Sequence, residues 1–239
     1  AVLVTVTLMY RTEGMKLCLS QIRMYKRMLQ SILKIGLPAG FEAIMYSISN
    51  IIVQVSINNF GVDTMAAWTA YSKIDFIFWM INSAFGISVM TFVGQNYGAG
   101  KWDRIRRGTK ICLGMALISA VSVSIILMSA ERFLFGIFVN DAGVVEIGIR
   151  MMNVIAPAYL LFAFIEVFSG ALRAQGAVVV STLITMVGIC VLRMIWVTLV
   201  AAHGTLEQVI ICYPITWAAG ALAMSIYYIY KQRKIFQAR

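Results

Sequence analysis

The sequence predicts an all-α, polytopic membrane protein with six transmembrane helices, and three observations predict it. The residues AVILMFWYC make up 61% of the 239-residue chain and charged residues only 13%, against about 25% charged in an ordinary soluble domain. The apolar residues gather into six stretches, each near the length of about 20 residues that a helix needs to cross a hydrocarbon core about 30 Å thick. The polar breaks between these stretches alternate, one basic and the next largely acidic. Together these features exclude a water-soluble fold and leave almost no chain for a separate soluble domain.

Taken in order, the chain opens on an apolar run, Ala1 to Met9, that is too short to span and has no cleavage motif after it. Residues 1–10 read as the end of a preceding transmembrane helix. Residues 11–35 read as a linker at the membrane interface: Met15, Leu19, Ile22, Tyr25, Leu29 and Ile32 recur at helical spacing, while Lys16, Arg23, Lys26, Arg27 and Lys34 take the other side. The six-helix bundle is expected over 36–230, with spans at 36–60, 64–93, 109–130, 147–172, 177–201 and 209–230, and a basic tail at 231–239. Pro38 and Pro157 fall early in their spans, where a helix can bend and free a carbonyl.

The net charge of +10 resides in the breaks and not on a soluble face, so it reports topology and no nucleic-acid partner. The linker, the Lys101–Lys110 break, Arg173 and the tail (Lys231, Arg233, Lys234, Arg239) hold the cations. The other breaks hold chiefly Asp63, Glu131, Arg132, Asp141, Glu146 and Glu207. By the excess of Lys and Arg in cytoplasmic loops, the linker and the C-terminus are expected in the cytoplasm and the protein in the plasma (inner) membrane. Cys18, Cys112, Cys190 and Cys212 show no metal-ligand spacing and read as small apolar residues. The single histidine, His203, lies in an outer break and offers no catalytic or metal site. The run Gly94 to Lys101 departs from the Walker pattern at Gln95 and Trp102 and follows a membrane helix, so neither nucleotide binding nor any other cofactor is expected. With no nucleophile–base pair inside the helices, the chain does not read as an enzyme.

A charge inside a bilayer costs a few kcal/mol or more unless it meets a cavity or a partner, so the intramembrane charges are the functional candidates: Glu42, Lys73, Asp75, Glu166 and Arg193. A rise of about 1.5 Å per residue places Glu42 and Glu166 roughly 10 to 12 Å below the basic surface, where they could share a cavity and bind a cation or proton. Asp75 and Arg193 fall at similar depths in the opposite half, a candidate intramembrane ion pair, while Lys73 and Asp75 point to nearly opposite sides of one helix. Above Glu42, the residues Tyr46, Asn50, Gln54 and Asn58 form a polar ribbon at four-residue spacing, suited either to interhelical hydrogen bonds or to a cavity wall. Asn82 shares the face of Asp75 in the second span and joins Tyr46, Asn50 and Gln54 as an expected cavity residue.

Several stretches carry a family resemblance: Gly36-Leu37-Pro38, Ala70-Tyr71-Ser72-Lys73-Ile74-Asp75, Val93 to Lys101, Glu166 to Arg173, and Gly188 to Trp196. In this order, and over most of the chain, the sequence resembles the C-terminal half of the multidrug and toxic compound extrusion (MATE) family. It departs from the family's usual Arg-Gly-x-Gly at Arg173-Ala174-Gln175-Gly176. The resemblance implies one bundle of a twelve-helix, MATE-like fold whose N-terminal six-helix half is the chain's partner. It also implies an antiporter that exports small amphipathic or cationic organic compounds in exchange for H+ or Na+. Two other outcomes are compatible with the residues: a flippase for lipids or lipid-linked precursors within the same fold superfamily, and an inactive, truncated half.

Overall fold

The computed structural model describes residues 23, 25–200 and 204–237, together with 7 and 9. The expectations for most of residues 1–25, for Cys18, for His203 and for the last two residues lie outside the described residues. The chain divides into two compact units, Ala1–Leu37 and Pro38–Arg239, and the packed bundle with its cavities belongs to the second. In the first, the described residues from Lys26 onward are helical and almost all exposed.

Among the described residues, six helical stretches are long and apolar enough to cross a membrane: Lys26–Asn58, Val62–Gly98, Trp102–Ser129, Ala142–Ala174, Val178–Val200 and Leu206–Ile235. These are the first to sixth spans, and no strand occurs among the described residues. The helices outrun the apolar runs that predict them. The second continues through the glycine-rich run to Gly98, the third starts at Trp102 and so carries Arg104 to Lys110, and the last helix reaches Gln237, where a tail was expected. Apolarity marks only the hydrocarbon crossing, whereas the backbone stays helical into the polar zone, where Lys and Arg keep their heads in water. Only the turn at Gly100 separates the second and third spans. Its φ of 67° is open to glycine at little cost, and the Lys101 amide closes the turn on the Asn96 carbonyl at 2.8 Å.

The fourth span is the axis of the bundle and packs against the second, third and sixth. Its most apolar window is 67% buried, against 17% for the third span. Small residues let the neighbours approach. Ala163, Gly170 and Ala171 are buried in it, and a Cβ at Gly170 would lie 2.7 Å from the Gly86 carbonyl oxygen of the second span. Backbone contact of this kind substitutes for the hydrophobic drive that lipid cannot supply. Large apolar side chains of the third span such as Ile118, Ile125 and Ile126 are exposed, as befits a surface that meets acyl chains.

Pro157 interrupts the fourth span as the helix passes through a tight turn at Ala156–Ala158. The buried Ser124 hydroxyl, from the third span, donates to the Ala156 carbonyl there at 2.5 Å. Ser124→Ala is expected to lower the free energy of unfolding in detergent micelles by about 1–2 kcal/mol. Ser129→Ala, whose exposed hydroxyl bonds only the Ile126 carbonyl of its own helix, is expected to leave stability unchanged; equal losses for the two would discount the bond.

The fifth span is irregular. Val178–Thr185 is α-helical, Met186–Val191 and Trp196–Val200 widen into π turns, and Leu192–Ile195 between them is α-helical again and carries Arg193. Widened turns of this type recur at functional sites. At the less basic end of the bundle, Asp141 caps the fourth span by accepting from the Gly143 and Val144 amides at 2.8 and 3.1 Å.

Candidate functional site

Two polar clusters lie inside the bundle, and each gathers residues that the sequence left apart. In the cluster nearer the basic end, both Glu42 carboxylate oxygens accept from Arg173 Nη2, at 2.7 and 2.8 Å. Thr182 Oγ1 of the fifth span donates to Glu42 Oε2 at 3.0 Å. The first span is thus tied to the fourth and fifth through one carboxylate. Glu42 and Arg173 keep 14% and 28% of their side-chain exposure, so the pair sits in a partly desolvated setting where charge-assisted bonds are strong.

Glu166, two turns before Arg173, has a different role. Among the described residues it makes no ion pair and accepts no hydrogen bond. Its carboxyl lies against Gly86, where any Cβ would collide with it. The charged groups acting on it are Arg173 and Glu42. Glu42 and Glu166 therefore belong to one electrostatic cluster at the crossing of the first, second, fourth and fifth spans. They are not equivalent: one carboxylate is neutralised by a guanidinium, and the other is left with nothing bound to it.

In the second cluster Asp75 is held by two aromatic donors. Trp79 Nε1, one turn on, donates to Oδ2 at 2.6 Å, and the Tyr159 hydroxyl of the fourth span donates to Oδ1. Tyr159 in turn lies 3.2 Å from the Tyr71 hydroxyl and stacks on Phe78 at a centroid distance of 3.8 Å. Arg193 is fully buried. Its Nη1 donates to Asn50 Oδ1 at 3.0 Å, and its Cζ lies 4.2 Å from the Tyr213 ring centroid and 5.7 Å from that of Tyr46. The expected ion pair of Asp75 with Arg193 is absent, because aromatic donors take the carboxylate and ring faces with an amide take the guanidinium. Lys73 is exposed on the other side of the second span, as two-residue spacing on a helix requires.

A cavity of about 430 Å³ opens beside Asp75, with Tyr46, Asn50, Gln54, Trp68, Trp79 and Trp217 among its lining residues. Of the polar ribbon of the first span, Asn50 bonds Arg193 and, with Tyr46 and Gln54, lines this cavity, whereas Asn58 does not. Asn82 does not line it. It is buried at 3% exposure, with an unpartnered Nδ2, one turn before Gly86. Sequence reasoning missed Arg173 and Thr182 as partners of Glu42, and Trp79 and Tyr159 as partners of Asp75. The one available signal was the four-residue spacing of Asp75 and Trp79. Among the described residues no group of three or more His, Cys, Asp or Glu is placed to hold a metal.

The profile of the MatE family matches residues 38–199. The chain is 25% identical over 219 residues to the probable multidrug resistance protein YoeA of Bacillus subtilis (strain 168), covering 90% of this chain and 47% of that protein. It is 22% identical over 158 residues to multidrug and toxin extrusion protein 1 of Homo sapiens, covering 64% and 28%. An outward-facing conformation of a multidrug resistance MATE family transporter of the MOP superfamily aligns with 99% of the chain and 54% of its own length, at a TM-score of 0.87 and 16% identity. At that identity the likeness is one of fold. The chain spans about half the length of the Bacillus subtilis relatives it matches. With the profile covering most of a six-span helical bundle, the chain is a multi-pass membrane protein and belongs to the MatE family.

Proposed function

We propose that this chain is the C-terminal half of an ion-coupled antiporter that exports small amphipathic or cationic organic compounds across the plasma membrane, its basic connections facing the cytoplasm. The observation that carries the reading is the unequal pair at the inner crossing. Glu42 is neutralised by Arg173, and Glu166 lies against Gly86 with no bound partner. A carboxyl inside a membrane without a counter-ion is suited to take up a coupling cation, H+ or Na+, and to release it. Rocking of this bundle against a second one would expose the site to each side in turn. The cavity beside Asp75, walled by aromatic rings, suits the cationic end of a substrate. It has no Lys or Arg in its lining, which favours a cationic cargo over an anionic lipid precursor.

The test is dye efflux from transporter-deficient cells expressing the complete gene, with proton and sodium gradients collapsed separately. Glu166→Gln at parental expression is expected to reduce export to the level of cells lacking the transporter, and the gradient whose collapse stops the parent identifies the ion. Glu42→Gln is expected to impair export less, since Arg173 already neutralises that group. Parental export by Glu166→Gln would remove Glu166 from the coupling site.

A further inference from the structure

A second cavity, of about 420 Å³, opens at the basic end of the bundle between the third and sixth spans, lined by Arg106, Lys110, Tyr228, Ile229, Gln232 and Arg233. Arg106 and Lys110 are one turn apart on the third span, and Ile229 and Arg233 one turn apart on the sixth, so each helix turns a single face to it. The wall is built and not merely a cluster of surface side chains. Gln232 is 8% exposed and donates to Gln175 Oε1 at 3.0 Å, and Tyr228, 7% exposed, stacks on Phe168 of the fourth span at 4.5 Å.

Three cations and no carboxylate line this hollow. Lys110 and Arg233 have neither a hydrogen bond nor an ion pair among the described residues. Asp103, the nearest acid along the third span, lies outside the lining. Like charges gathered around one concavity repel, and an anion placed among them relieves the repulsion. Below the charged rim the sixth span continues as an apolar stripe. Ile229, Ile226 and Leu222, at helical spacing, are 50%, 60% and 64% exposed. A cationic rim above an exposed apolar stripe is complementary to a phosphate with acyl chains attached, and not to a soluble anion or a nucleic acid. We propose that this cavity binds the phosphate headgroup of an anionic phospholipid whose acyl chain lies along Leu222, Ile226 and Ile229. The assignment is independent of what the protein transports.

The experiment uses the protein expressed from the complete gene and purified in detergent. Its Tm is followed as phosphatidylglycerol, phosphatidylcholine or inorganic phosphate is added, and native mass spectrometry scores the lipid retained from a mixture of the first two. Phosphatidylglycerol in large excess over its dissociation constant is expected to raise Tm by roughly 5 °C, with phosphatidylcholine and phosphate without effect. The variant Arg106→Gln/Lys110→Gln/Arg233→Gln is expected to lose the shift. The control Arg104→Gln/Arg107→Gln/Lys234→Gln, with the same change of charge outside the cavity, is expected to keep it. Equal loss in both triple variants, an equal response to phosphatidylcholine, or a full response to inorganic phosphate would each overturn the assignment. So would failure of the parent to retain phosphatidylglycerol preferentially in the mass spectrum, a result that needs no variant to fold.

Discussion

Arg173→Met is expected to lower the stability of the detergent-solubilised protein by about 2 to 4 kcal/mol, somewhat less than the roughly 3 to 5 kcal/mol lost on removing one partner from a fully buried ion pair. The Glu42 carboxylate would keep only the Thr182 hydroxyl, in a bundle interior that also holds the Glu166 carboxyl. The residual 28% exposure of Arg173 places the loss toward the lower end. Removing the orphaned charge as well should reverse it, so Glu42→Gln/Arg173→Met is expected to recover most of the parental stability. Arg173→Lys is expected to fall between them: the guanidinium reaches both carboxylate oxygens through the single nitrogen Nη2, a geometry an ammonium can partly reproduce. Chemical unfolding followed by circular dichroism measures all three. A double variant as unstable as Arg173→Met would show that the bundle does not depend on neutralising Glu42.

Gly170→Val is expected to be as severe for a different reason. An added Cβ would lie 2.7 Å from a backbone oxygen of Gly86 and 2.9 Å from Val89 Cγ1. Backbone cannot rotate away, so the second and fourth spans must separate, at a cost of about 3 kcal/mol or more. The reciprocal change, Gly86→Ala, should behave otherwise. The atoms nearest its methyl would be those of the Glu166 side chain, from Cγ to the carboxyl, a flexible chain that can turn aside where a backbone cannot. Stability should therefore move by less than about 1 kcal/mol, while efflux falls toward that of Glu166→Gln because the displaced carboxyl no longer occupies its place. Parental efflux from Gly86→Ala would show that the contact between Gly86 and Glu166 has no functional weight.

The spans were legible in the sequence because the cost of polar groups in hydrocarbon leaves a compositional imprint that no packing detail can erase. For the same reason Glu42, Glu166, Asp75 and Arg193 stood out as isolated charges in apolar runs. Their partners were not legible. Height along the helix axis follows from a count of residues, and on that measure Asp75 and Arg193 match. Whether two groups face each other also depends on rotation about the axis, and here the counting breaks down. A tight turn at Ala156–Ala158 precedes Tyr159, and a widened turn at Met186–Val191 precedes Arg193, so both residues are out of phase with a uniform helix of 3.6 residues per turn. Arg173 escaped notice for a simpler reason. It closes an apolar run and counts as a loop charge, yet its long side chain reaches back to Glu42.

The irregular turns of the fifth span bear on how its sequence can drift. A π turn accommodates one residue more than the α-helix it interrupts. Deleting one residue within Met186–Val191 or within Trp196–Val200 would let that turn revert to α-helix while the flanking segments keep their places. Insertions and deletions, usually confined to loops, can thus be absorbed in mid-membrane on either side of Arg193, without moving the guanidinium from Asn50 and Tyr213.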